Sequence, residues 1–245
     1  MHFHQAIAPL AFATAAFGQT LNIPTRVGSI QVLPTPSVIS GSQDFGNKEF
    51  ARPGNCATYD GPSDANIVFI LEDGATISNV IIGANQLEGI RCRGKCTIKN
   101  AWFRDVCEAN HATTDAINLS GNGDILIQGG GAQSAPDNVI VHSGRGTVTV
   151  KDFTIVNAKK LYRSCGNCLN NGGPRNIIVE NLKASGVDWL VGINSNFGDV
   201  AKVSGSCGTD VKKVCQEFKG VQRPNESPKL GTTANCEGQS SLSAC

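Results

Sequence analysis

From Ile67 onward the chain repeats one texture, short apolar runs punctuated by Gly or Asn: ANIVFILEDG, ATISNVIIGA, CTIKNAWFRD, GDILIQGGGA, GTVTVKDFTIVNA and RNIIVENLKASG. Within each run β-branched residues dominate and alternate with polar ones, as at Thr97 and Lys99 or Thr147, Thr149 and Lys151. A period of two is the signature of strands that bury one face. Helical periodicity is almost absent. Taking Ile77, Ile98, Ile125, Val148 and Ile177 as equivalent positions gives spacings of 21, 27, 23 and 29 residues. Such a period is expected when each coil of a solenoid contributes several short strands. The pattern predicts an all-β chain wound as a β-helix of either hand, with a sandwich of irregular hairpins as the alternative.

The densest stretch runs from Leu87 to Asp115, with three cysteines and the acids Glu88, Asp105, Glu108 and Asp115. Its spacing from Ile98 to Ile125 exceeds the preceding one by six, and the surplus falls at ANHATT, between Glu108 and Asp115. Surpluses of this kind become loops on one face of a solenoid. Residues 19–50, rich in Pro, Ser and Gly, read as a lead-in, and from about residue 205 the repeat gives way to a stapled C-terminal tail.

Composition narrows the function. A net charge of +1 provides no global field toward nucleic acid or an anionic membrane. The apolar run Ala6–Phe17, ending in small residues, reads as a secretory signal peptide over residues 1–18, leaving one domain over 19–245. No later apolar run approaches the roughly 20 residues that span a bilayer. All ten cysteines follow the expected cleavage site, and an even number in an exported chain reads as disulfides. CRGKC and CGNC therefore read as staples rather than zinc or redox pairs. NLS at Asn118 and NES at Asn225 are glycosylation sequons, of which the second lies outside the repeat.

Rungs of a β-helix stack about 4.8 Å apart, so acids distant in sequence converge on one face. Asp64, Glu88, Asp105, Glu108, Asp115 and Asp137 are candidates, and hard oxygen ligands of this type suit Ca²⁺. In KKLYRSCGNC, Lys160 and Arg163 lie three apart and share a face only if the strand kinks between them. Beside a bound cation, such a pair would receive an anionic sugar.

Four blocks in one order, ATISNVIIGANQLEGIRCRGKCTIKNAWFRDVCE, GGGAQSAPDNVIVHSGRGTVTVKDF, KLYRSCGNC and GINSNFGD, resemble the microbial pectate lyases of polysaccharide lyase family 3 over roughly residues 60–200. The resemblance implies a secreted, single-stranded right-handed parallel β-helix with disulfide-stapled loops. It implies a monomer that cleaves de-esterified homogalacturonan, the polygalacturonate of pectin, by Ca²⁺-dependent β-elimination. Carried over position by position, it implies Asp64, Glu88, Glu108 and Asp115 as calcium ligands, Lys160 and Arg163 as the catalytic clamp, and Asp105, Asp137 and Asn138 as substrate-binding residues. The chain departs from the family pattern where Ala109 follows Glu108 in place of Asp, where Asn138 follows Asp137 in place of Lys, and at Ser120, another usual Lys. These departures keep a second expectation open, a catalytically weakened or inactive pectin-binding homologue. A polygalacturonase-like hydrolase would need a Gly-His-Gly turn, which the sequence lacks.

Overall fold

The computed structural model describes residues 21–54, 64–107 and 115–245. The expected signal peptide, Cys56, Glu108 and Ala109 lie outside them. Among the described residues sixteen strands follow one another. The first eight are β1 (Gln31–Val32), β2 (Ser37–Ile39), β3 (Ser42–Ala51), β4 (Ile67–Leu71), β5 (Ala75–Ile82), β6 (Glu88–Cys92), β7 (Cys96–Phe103) and β8 (Ile117–Leu119). They are followed by β9 (Ile125–His142), β10 (Gly146–Lys151), β11 (Thr154–Ser164), β12 (Arg175–Glu180), β13 (Lys183–Asn194), β14 (Ala201–Ser204), β15 (Cys207–Phe218) and β16 (Cys236–Gly238). Strands of successive coils pair in parallel and form three ladders around one apolar core, a single-stranded right-handed parallel β-helix as the sequence leads one to expect.

The first ladder fixes the register. Ile77, Ile98, Ile127, Val150, Val179 and Val203 are the true equivalents, each buried. The sequence-based alignment was therefore displaced by two residues from Ile125 onward, a slip that keeps every side chain on the same face and so leaves the periodic signal intact. Two positions after each of these residues the chain turns a corner in the left-handed region: Asn79, Asn100, Gly129, Asp152, Asn181 and Gly205 have φ of 50–66°. Gly, Asn and Asp occupy that region most readily. The column also bonds to itself, with Asn100 Nδ2 donating to Asn79 Oδ1 at 3.0 Å and Asn181 Nδ2 to Asp152 Oδ1 at 3.2 Å.

The repeat continues past residue 205. β15 completes a further coil against β13, and the irregular segment begins only after Phe218. Polar residues in CGTDVKKVCQEF hide this strand, because Asp210, Lys212 and Lys213 are as many as the β-branched Thr209, Val211 and Val214. Bridges Cys207–Cys245 and Cys215–Cys236 tie the irregular segment back, while Cys92–Cys96 and Cys165–Cys168 close tight turns. The CRGKC and CGNC pairs are thus staples.

One buried group makes stability depend on acid. His142 is fully buried, its Nδ1 lies 2.9 Å from the Tyr162 hydroxyl, and its Nε2 has no partner among the described residues. Burial, aided by the charges of Arg175 and Arg145, pushes its pKa down to about 3. Between pH 6.5 and 3 the unfolded chain binds a proton that the folded chain refuses, so stability is full above 6.5 and falls through this window. The loss is expected to be on the order of several kcal/mol. Urea unfolding from pH 7 to 3 should show a shallower decline for His142→Gln than for the wild type; parallel curves would remove His142 as the cause.

Candidate functional site

At the corner leading into the third ladder, the coils from β6 onward repeat a four-residue pattern in which two inward apolar residues stand between two outward positions. Glu88–Arg91, Asp115–Asn118, Asn138–Val141, Lys160–Arg163, Trp189–Gly192 and Lys213–Gln216 are its six instances. In the Lys160 instance, Leu161 and Tyr162 are both fully buried, so strict alternation breaks there. This is the kink that lets Lys160 and Arg163 share a face. One outward column is consequently Glu88, Asp115, Asn138, Lys160, Trp189 and Lys213. Asn138, Lys160, Trp189 and Lys213 are direct register partners, and Glu88 and Asp115 stand two residues ahead of the paired Ile90 and Ile117. The other column is Arg91, Asn118, Val141, Arg163, Gly192 and Gln216.

A bulge brings Asp137 into the first column. Ala158 pairs with Ala135 but Lys160 pairs with Asn138, so β9 carries one extra residue here. Asn138 Nδ2 donates to Asp115 Oδ1 at 3.1 Å and to Asp137 Oδ2 at 2.8 Å. Lys160 Nζ donates to Asp137 Oδ1, and Lys159 Nζ lies 3.9 Å from the same oxygen. The structure therefore gathers Asp115, Asp137, Asn138 and Lys160 into one contact group.

Electrostatically the group is loaded at its acidic end. Asp115 is 6% exposed, and burial raises its pKa to about 8, with the charges of Glu88 and Asp137 adding to the rise while Asn138 and Lys160 oppose it. Glu88 is also pushed up, first by burial, against the pull of Arg91. Its two oxygens accept from Arg91 Nε at 2.7 Å and Nη2 at 2.5 Å. Asp64, exposed in a 3₁₀ turn over Asp64–Asn66, is turned to Arg91 and to Arg93 Nη2 at 3.0 Å, where arginines neutralise it.

Arg163 is engaged from several sides. Its Nη1 donates to Ser164 O and to Asn194 Oδ1 at 3.0 Å, its Nη2 donates to Ser227 Oγ at 3.0 Å, and its Cζ lies 3.9 Å over the Phe218 ring. Gly192 makes room for this: a Cβ there would stand 2.9 Å from Arg163 Cδ. Burial draws the Arg163 pKa down to about 10, against the opposing charges of Asp199, Tyr162 and Asp137. Behind it, Asn194 Nδ2 donates to Ser164 Oγ at 2.9 Å, and Ser164 Oγ donates to the buried Asp199 carboxylate at 2.5 Å. Sequence reasoning missed Arg91, Asn194 and Asp199: Arg91 stands on a different coil from Arg163, and Asn194 and Asp199, five residues apart in one turn, are linked to Arg163 only through Ser164 and the Asn194 side chain.

Asp105 lies apart from the contact group. It accepts from the Asn85 backbone N–H at 3.0 Å and lines a groove of about 910 Å³ with Ser134, Lys159, Asp188 and Lys212. The groove runs beside the column, and Lys159 reaches from it to Asp137.

Among the described residues no group of three or more His, Cys, Asp or Glu is arranged to hold a metal. Oxygen ligands nevertheless collect at Asp115, where the buried Asn138 Oδ1 has no hydrogen-bond partner among the described residues. An orphaned amide oxygen beside a desolvated carboxyl is a donor set that fits a hard cation such as Ca²⁺, which accepts carboxylates, amide carbonyls and waters together. Glu108, seven residues before Asp115, lies outside the described residues.

Comparison with known proteins bears on this arrangement. The pectate lyase family model matches residues 20–225. Pectate lyase E of Emericella nidulans is 44% identical over 228 residues, covering 91% of this chain and 86% of that protein. Pectate lyase H of the same organism is 42% identical over 231 residues, covering 92% and 86%. The crystal structure of the catalytic domain of pectate lyase PelI from Erwinia chrysanthemi superposes with a TM-score of 0.73 at 33% identity, covering 89% of this chain and all of that one. PelI in complex with tetragalacturonic acid superposes at 0.70, also 33% identical, covering 86% of this chain and 70% of that one.

Proposed function

Since the chain belongs to the pectate lyase family, polysaccharide lyases that degrade pectate, we propose that it is exported, cleaves de-esterified homogalacturonan by Ca²⁺-dependent β-elimination, and releases 4,5-unsaturated oligogalacturonides. The observation that carries this reading is the column Asp115, Asn138 and Lys160 on adjacent rungs, an oxygen-rich end meeting an ammonium. Export draws on the N-terminal apolar run, and among the described residues no helix is long and apolar enough to cross a membrane.

Asp115 and Asn138 Oδ1 are the described groups that would hold the cation, with Glu88 on the neighbouring rung; Glu108, which the family resemblance adds to the set, lies outside the described residues. Bound there, Ca²⁺ would neutralise a uronate carboxylate and make the proton at C5 more acidic. Lys160 takes that proton. The C5–H electron pair becomes the C4=C5 double bond, and the C4–O bond breaks with its pair on the departing oxygen, which takes a proton from solvent. No hydrolytic water enters, so the paired acid and base of a glycosidase are not needed. Lys160 suits this role better than Arg163, whose N–H groups are directed to Ser164, Asn194 and Ser227. Arg163 stays cationic to about pH 10 and supports the negative charge of the substrate. Asp137 holds Lys160 in place until substrate enters, and Asp105 binds sugar hydroxyls along the neighbouring groove.

Asn138 sets the rate. Its amide exchanges no proton, and the family pattern has a lysine at this position. Asn138→Lys, which restores the family's lysine but gives up the amide oxygen beside Asp115, is expected to raise kcat on polygalacturonate at saturating Ca²⁺ by roughly tenfold or more while raising the Ca²⁺ needed for half-maximal rate. Equal turnover of the two proteins would show that a base at 138 is not limiting, whereas polygalacturonate binding by a wild type with no turnover would favour the weakened pectin-binding homologue. Mass spectrometry of the digestion products tests the reaction type: unsaturated non-reducing ends are expected, and saturated ends would indicate hydrolysis.

A further inference from the structure

Beyond the lyase chemistry, the same column continues past Lys160 into a second cluster. Trp189 is the register partner of Lys160 on one side and of Lys213 on the other. Its ring is partly exposed and is held on edge by Phe218, with centroids 5.7 Å apart and planes at 65°. Lys229 Nζ stands 4.1 Å from the ring centroid and Lys160 Nζ 5.6 Å from it. Lys213 Nζ donates to Gln216 Oε1 at 2.7 Å. Neither Lys213 nor Lys229 takes part in an ion pair among the described residues.

A surface that collects ammonium groups around one indole, with no carboxylate paired to Lys213 or Lys229, is prepared for an anion that also offers an apolar face. A uronate ring is such a ligand: its C–H face packs on an aromatic plane while its carboxylate meets an ammonium. Lys229 is exposed and is held to the indole by a cation–π contact, worth little enough for an incoming carboxylate to redirect it. Rungs about 4.8 Å apart place Trp189 one step from Lys160, on the side opposite Asp115.

We propose that Trp189, Lys213 and Lys229 form a subsite for an acidic sugar residue of the substrate chain, one rung beyond Lys160. The inference rests on the reading of the chain as a lyase of polygalacturonate, and it assigns the direction in which the bound polymer extends, along the column from Asp115 toward Lys213.

Two measurements test it. Steady-state kinetics on polygalacturonate should show KM raised about tenfold by Trp189→Ala and severalfold by Lys229→Ala, with kcat little changed. Lys229 lies on the surface, so its variant tests the subsite without disturbing the fold. The chain has two tryptophans, Trp102 and Trp189. In a Trp102→Phe background, tetragalacturonic acid should therefore change the fluorescence of Trp189 directly. If turnover proceeds, KM is unmoved in both variants and the fluorescence stays constant, the subsite is refuted while the lyase reading stands. If no unsaturated product forms yet tetragalacturonic acid still changes Trp189 fluorescence, the lyase reading fails while the subsite stands.

Discussion

Replacing Lys160 by alanine is expected to lower kcat on polygalacturonate by about 10² to 10⁴-fold, the usual loss when a general base is removed. The side chain projects from the outer column, where its direct polar partner is Asp137, and Leu161 and Tyr162 carry the packing of that coil. The fold should therefore survive the change, and unfolding in urea should stay close to that of the wild type. Lys160→Arg keeps the charge and the contact with Asp137 but replaces the amine with a guanidinium, which does not give up its proton in proteins, so it should bind substrate and remain slow. Turnover by Lys160→Ala within a few-fold of the wild type would pass the role of base to another group.

A second large effect is expected behind Arg163, at a residue that takes no direct part in the reaction. Asp199 is fully buried and accepts from Arg175 N at 2.8 Å, Asn194 N at 2.9 Å and Ser164 Oγ at 2.5 Å. Its charge also opposes that of Arg175, which is itself fully buried and donates to the carbonyls of Gly144 and Ser143. Asp199→Ala strands these donors and leaves a buried cation without its counter-charge, which should lower stability by about 3–5 kcal/mol in urea unfolding. Because Asn194 and Ser164 link Asp199 to Arg163, the variant should also raise KM under conditions where it remains folded. A stability change below about 1 kcal/mol would contradict this account of the network.

The sequence made the repeat legible because strands that bury one face must alternate, and the alternation survives even when the coils are aligned two residues out of register. Lys160 and Arg163 could be named from their spacing and family resemblance. That they share a face only through a kink was legible too; its form was not, since it lies in a corner with two inward residues between two outward ones, whose six instances become equivalent only when Ile90, Ile117 and Ile140 are stacked. The acids were legible as residue types, but their partners were not: Arg91 and Arg93 take up Asp64 and Glu88 through contacts the sequence does not display. Asn138 was visible as a departure from the family pattern. Its Oδ1, without a hydrogen-bond partner among the described residues, turns that departure into an oxygen donor beside Asp115, and the bulge at Asp137 that accompanies it has no sequence signal.

The central claim is that Asp115, Asn138 and Lys160 form one calcium-dependent eliminating site. It is tested most directly by following the ultraviolet absorbance of a conjugated unsaturated uronate while Ca²⁺ is titrated into chelator-treated protein with polygalacturonate, beside Asp115→Asn. The expected result is a rise that saturates with Ca²⁺ for the wild type and a much weaker calcium response for Asp115→Asn. Equal rates with and without Ca²⁺, or no absorbance at saturating Ca²⁺, would contradict it.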